Sequence, residues 1–245
     1  MLHQAAGGTD LSPVLVTPNR SLTTSRQVAA PFLCADCETL LSENGERYVL
    51  AQCARPGGRF KLRELLEAAS PLESDGQVRV YDVQPLLGDA MIGKYLYFSA
   101  SVFWRASAHV WYSETGESGR FRLGTEYQEQ FRQYLLGQAD FPGAARIWVH
   151  VSSEILKEPL IVFPTTTAVD ETQRHKFYVP GIIFILFFGD KAGDQFDARA
   201  LNGSRRRVMW VCPWQNDSLF RGVLSRIETS TPVGRLRTRL AKGSG

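Results

Sequence analysis

The sequence predicts an α+β fold: a helical middle over residues 90–137 and an antiparallel sheet from about 146 to 212 packed on one long helix. Three observations carry this. Residues 90–111 run without proline, and Tyr95, Phe98, Val102, Arg105, Ala106 and His109 trace one helical face. From Arg146 the texture changes to β-branched and aromatic runs separated by turn residues. With 44% apolar residues in 245, the chain has the material for a real core.

Residues 1–30 are rich in Gly, Ser, Thr and Pro, and Pro13-Val-Leu-Val-Thr17 reads as an isolated strand between loops. In Cys34-Ala-Asp-Cys37-Glu-Thr-Leu-Leu the apolar residues after the second cysteine recur at helical spacing, until Asn44-Gly45 supplies a stop signal. A second helix is expected over 46–54 and a third over 61–69, punctuated by Pro56-Gly57-Gly58 and Pro71. Residues 78–83 alternate as a strand, and the long helix over 90–111 follows. Another helix over 126–136 ends at Gly137. Strands are expected at 147–152, 160–163, 175–179 and 182–188, the last two being either a hairpin or one bent strand about Pro180-Gly181. A strand at 208–212, a helix over 217–227 and a tail complete the chain.

The longest apolar run, residues 177–188, contains Pro180-Gly181 and is too short to span a bilayer, so it reads as a buried strand pair and no membrane association is expected. Residues 1–8 show neither a basic nor an apolar signal region, which leaves a cytoplasmic location as the expectation. Four cysteines, at 34, 37, 53 and 212, are too few and too unevenly spaced for a disulfide framework, and reduced thiols are expected. Charge is uneven: residues 200–245 hold nine Lys and Arg against two acids, while the rest is mildly acidic.

Cys34 and Cys37 are the most informative pair. Two thiolates two residues apart can supply one edge of a tetrahedral zinc site. The same spacing at a helix start also suits dithiol chemistry, although no buried strand of the thioredoxin type precedes it. The plain alternative is two partly buried free cysteines. Cys53, on an apolar helix face, reads as a core residue. Glu38 is a possible hard-metal ligand, set against the ordinary preference of a carboxylate for the positive end of its helix; Glu46 has the same two readings. His109, His150 and His175 are dispersed, with no partner at metal spacing. Arg105, inside an apolar helix, needs a carboxylate partner or a route to solvent. Arg205, Arg206 and Arg207, with Arg221, Arg226, Arg235, Arg237, Arg239 and Lys242, form a basic end suited to phosphate, the competing account being a solvated tail. There is no Gly-rich phosphate loop, nucleophile elbow or paired-carboxylate arrangement.

The order of Leu33-Cys34-Ala-Asp-Cys37-Glu38, Ser42-Glu-Asn-Gly45-Glu46, Ser101-Val-Phe-Trp104-Arg105 and a late apolar strand resembles a family of largely uncharacterised bacterial proteins with an HNH-endonuclease-like layout. In that family a first Cys-x-x-Cys and a Ser-His-Ile-Ile-Pro-like segment precede the pair matched here. The resemblance implies zinc at Cys34 and Cys37, a metal role for Glu38, and a zinc-knuckle remnant whose first half and catalytic histidine are not in this chain. It further implies association with DNA or RNA without nuclease activity; Arg205, Arg206 and Arg207 are the candidate contacts by their charge alone. The domains expected are a partial zinc-knuckle region over 1–70, an α+β domain over 71–228 and a basic tail over 229–245. The other functional reading is a non-enzymatic module that binds a protein partner and keeps inert cysteines.

Overall fold

The computed structural model describes residues 14–16, 20–23, 32–55, 58–110, 121–154, 160–169, 172–188 and 194–233. They fall into two units, one of Ala30–Cys212 and a smaller one in which Met1–Ala29 joins Pro213–Gly245. The boundary expected at residue 70 is therefore not where the chain divides: the helices before it share a core with the sheet after it. The first described elements are the strands β1 (Val14–Val16) and β2 (Arg20–Thr23), paired antiparallel with Leu15 opposite Leu22. The segment read as an isolated strand thus has a partner.

In the larger unit, α1 (Ala35–Leu41) continues through one π-helical turn (Ser42–Glu46) into α2 (Arg47–Gln52). The Asn44-Gly45 pair read as a helix stop lies inside this continuous helix. Gly45 serves close approach: a Cβ there would sit 2.8 Å from Phe98 N and 2.9 Å from Lys94 O. Those atoms belong to α4 (Gln84–Ala108), reached after α3 (Lys61–Glu67), β3 (Glu73–Ser74) and β4 (Arg79–Asp82). The long helix starts earlier than its apolar pattern suggests, and Gly88, at φ +67°, interrupts its first turns. Arg105 finds the carboxylate it needs. Its Nη2 lies 3.9 Å from Glu46 Oε2, and its Nε donates to Ser101 O at 3.3 Å.

After α5 (Thr125–Leu135) come β5 (Ala145–Ser152), β6 (Val162–Val169), β7 (Thr172–Val179), β8 (Ile182–Phe188), the short α6 (Asp194–Asp197) and β9 (Val208–Cys212). The sheet order is β3-β4-β9-β5-β8-β7-β6, antiparallel throughout except for the parallel β5–β9 pair. The class is α+β as expected, with that one parallel pairing added. Pro180-Gly181 makes a hairpin, and Gly181 takes φ +83°, a left-handed conformation that suits glycine. The outer strand β6 continues past Pro164, where the sequence reading ended it. Proline is tolerated there because β6 is an edge strand with a register shift between Val162 and Thr165.

One sheet face packs on α4. Ala145, Ile147, Val149 and Val151 of β5 are fully buried, Phe98 meets Phe184 at 5.5 Å between ring centroids, and Phe103 meets Phe177 at 4.9 Å. His175 of β7 belongs to this face. It shares a 2.9 Å hydrogen bond with Thr166 Oγ1 through Nδ1, and the rings of Phe121 and Phe188 stand edge-on to it at 5.1 and 5.6 Å. Burial pushes its pKa down to about 4.

In the smaller unit Trp214 and Phe220 meet at 5.6 Å, and Asp217 caps α7 (Ser218–Thr229) by accepting the N–H groups of Leu219 and Phe220. β10 (Thr231–Pro232) then runs parallel to β2, so the expected tail begins with a paired strand; residues 234–245 lie outside the described residues. No helix among the described residues is long and apolar enough to cross a membrane.

Two outcomes are expected. Gly45→Ala forces α4 away from the α1–α2 helix and lowers unfolding stability by about 1–3 kcal/mol in urea titrations. His175 has a folded-state pKa below its unfolded value, so its contribution is complete above pH 6.5 and is lost as pH falls toward 4. The loss amounts to about 3 kcal/mol, and His175→Gln removes that part of the pH slope in unfolding measured from pH 7 to 4.

Candidate functional site

The residues singled out in the sequence lie at two places in the larger unit. Cys34 is the N-cap of α1, in extended conformation, and its Sγ accepts the Cys37 N–H at 3.5 Å. That backbone N–H, then the Cys37 thiol, hold the Cys34 pKa below the usual thiol value, while the Cys34 side chain raises that of Cys37. Cys34 is exposed and Cys37 partly buried against Leu33, Leu40, Trp104, Leu135 and Leu136, which line a shallow apolar cleft. Glu38 and Asp36 stand in the first turn of α1, where the helix amides favour negative charge.

A structural zinc ion needs four donors. Cys34 and Cys37 offer two, and among the described residues no group of three or more His, Cys, Asp or Glu side chains converges. Two donors do not close such a centre. Cys53 is a core residue: it donates to Val49 O at 3.4 Å, and burial raises its thiol pKa to about 12. The three histidines stay apart, His109 against Phe32, His150 beside Trp148 and Trp210, and His175 in the core.

The arginine triplet belongs to a turn that the sheet builds. β9 pairs with β5 only at residues 150–152, leaving the first residues of β5 without a strand on that side. The turn takes the strand's place. Asn202 accepts the Ile147 N–H at 3.0 Å and donates to Ala145 O at 2.8 Å, while Leu201 N donates to Ile147 O at 2.7 Å. Asp197 closes the base, accepting Ser204 N and Oγ at 2.9 and 2.6 Å on Oδ2 and Arg146 Nε at 2.8 Å on Oδ1. Burial works against its charge, but the Ser204 bonds and then Arg146 keep its pKa below the usual carboxylate value. A Cβ at Gly203 would run into the carbonyl oxygens of Asp197 and Arg206, so the turn requires glycine there.

On this frame Arg205 and Arg206 are exposed, whereas Arg207 turns back and donates to Gly203 O at 2.8 Å. Arg199, which the sequence reading did not single out, completes the group. Its guanidinium lies 5.5 Å over the Trp210 ring and 6.0 Å over the Trp148 ring. The indoles are themselves fixed: Trp148 Nε1 donates to Phe196 O at 3.1 Å and Trp210 Nε1 to Arg199 O at 3.2 Å. A guanidinium stacked on an indole keeps its N–H edges free to grip paired oxygens of a phosphate. Only the triplet is visible locally, because Arg199 stands far from Trp148 in sequence and Trp210 reaches Trp148 only through the β5–β9 pairing, in which His150 lies opposite Trp210.

Of the other basic residues, Arg221 and Arg226 are exposed on α7 in the smaller unit, and Arg235, Arg237, Arg239 and Lys242 lie outside the described residues. The expected consequence of removing the turn's anchor is clear. Asn202→Ala leaves the Ile147 N–H and Ala145 carbonyl without these bonds and lowers stability by about 1–3 kcal/mol in denaturant unfolding. Set against known protein families, curated proteins and solved structures, the chain matches none.

Proposed function

We propose that the turn carrying Arg199, Arg205 and Arg206 is a nucleic-acid-binding surface that grips the phosphate backbone. The observation that supports it is the fixed placement of Arg199 on two indoles beside two exposed arginines, on a turn already ordered by hydrogen bonds to β5. Flexible arginines lose side-chain entropy when they bind; one that already lies over an aromatic ring has less of it to lose, so more of the contact energy appears as affinity. Between Arg199 and Arg207 there are four arginines and no acid, which gives the segment the charge a polyanion needs. The proposal assigns binding and positioning along a strand, with no hydrolysis.

The test is fluorescence anisotropy of a labelled single-stranded oligonucleotide of about 20 bases, titrated with protein over a range of salt. Replacing Arg199, Arg205 and Arg206 together by Ala is expected to weaken binding at low salt. It also reduces the slope of log K against log salt by about 2, since each phosphate contact to a single strand contributes about 0.7. Arg207→Ala, at a side chain tied to its own turn, leaves the slope unchanged. An unaltered slope in the triple variant, or no binding by the unsubstituted protein at low salt, would overturn the proposal.

A further inference from the structure

We infer that Cys34 and Cys37 form a redox-active dithiol that exchanges with disulfides, independently of the arginine turn. Three features of the site carry this. Cys34 caps α1 with its Sγ 3.5 Å from Cys37 N, so its sulfur already lies against the residue it would bond, at the two-residue spacing of a dithiol. Cys34 is exposed at the helix start, where an attacking sulfur must be reached, while Cys37 is partly buried behind it, where a resolving sulfur is shielded. The cleft beside Cys37, walled by Leu33, Leu40, Trp104 and Leu136, offers an apolar seat for the group flanking a substrate disulfide.

The chemistry balances as a two-electron exchange. The Cys34 thiolate attacks one sulfur of a disulfide R–S–S–R′; a Cys34–S–S–R bond forms and R′S⁻ leaves, taking up a proton from solvent. Cys37 then gives up its proton and attacks Cys34 Sγ, forming the Cys34–Cys37 disulfide and expelling RS⁻, which is protonated in turn. The protein is oxidised by two electrons and the substrate is reduced to two thiols. A dithiol donor returns the pair to its reduced form by the reverse steps. Cys53, buried and bonded to Val49 O, has no access to this exchange.

The full chain, incubated with reduced and oxidised glutathione at a series of ratios, then acid-quenched, alkylated and mapped by mass spectrometry, tests the inference. The expected result is a Cys34–Cys37 disulfide that appears reversibly with the ratio while Cys53 stays reduced. Cys37→Ser is expected to accumulate a mixed disulfide of Cys34 with glutathione, and Cys34→Ser to lose nearly all glutathione capture at residue 37. The inference is overturned if both cysteines remain thiols at the most oxidising ratio, or if Cys37→Ser captures no glutathione. It is equally overturned if the purified chain holds one zinc ion through these two sulfurs that blocks their oxidation. None of these outcomes bears on oligonucleotide binding, so the two proposals fail separately.

Discussion

The interaction on which the larger unit most depends is the completion of β5 by a turn instead of a strand. A strand in the middle of a sheet carries N–H and C=O groups on both edges, and buried ones without partners are costly. β8 satisfies one edge along nearly the whole of β5, but β9 reaches only its last residues. Asn202, with an amide that presents one donor and one acceptor side by side, imitates a residue of the missing strand. This substitution fixes the turn from Asp197 to Arg207 to the sheet, and with it the directions in which its arginines point.

The alternation of β5 links the same strand to both halves of the structure. Ile147, Val149 and Val151 enter the core that packs on α4, and Trp148 and His150 go to the other face. A one-residue slip would exchange the two sets, so the core and the indole stack enforce one register together. A comparable economy holds the cysteine pair. Gly45 allows the helix that begins at Cys34 to lie with its backbone against α4, and that contact places Cys37 beside Trp104 and Leu135. Lys94 reinforces the crossing by donating to Glu43 O.

Much of this was legible in the sequence where one element explains its own pattern. The period of residues 90–111 marks α4, the β-branched runs mark β5, β7, β8 and β9, and Arg105 in an apolar helix foretells its buried partner, Glu46. The failures occur where a distant segment decides. Asn44-Gly45 carries a stop signal that the α4 backbone overrides, because the glycine is needed for approach and not for termination. Pro164 reads as the end of a strand until the sheet order shows that β6 is an edge. Among the candidate residues, Cys34, Cys37, Arg205 and Arg206 stand out as local clusters. Arg199 does not, since its significance rests on Trp148 and Trp210, which only the β5–β9 pairing brings beneath it.

The central claim is that a turn locked to β5 is itself the surface that meets nucleic acid. The indole N–H groups of Trp148 and Trp210 report on it directly, because they donate to carbonyls of that turn and its approach, at Phe196 and Arg199. Their signals in a nitrogen–proton correlation spectrum, followed while a single-stranded oligonucleotide is added, provide the measurement. The account expects both to shift together and saturate with binding, while the Trp104 signal, from the cleft beside Cys37, stays in place. Saturable binding with Trp148 and Trp210 unmoved would contradict it.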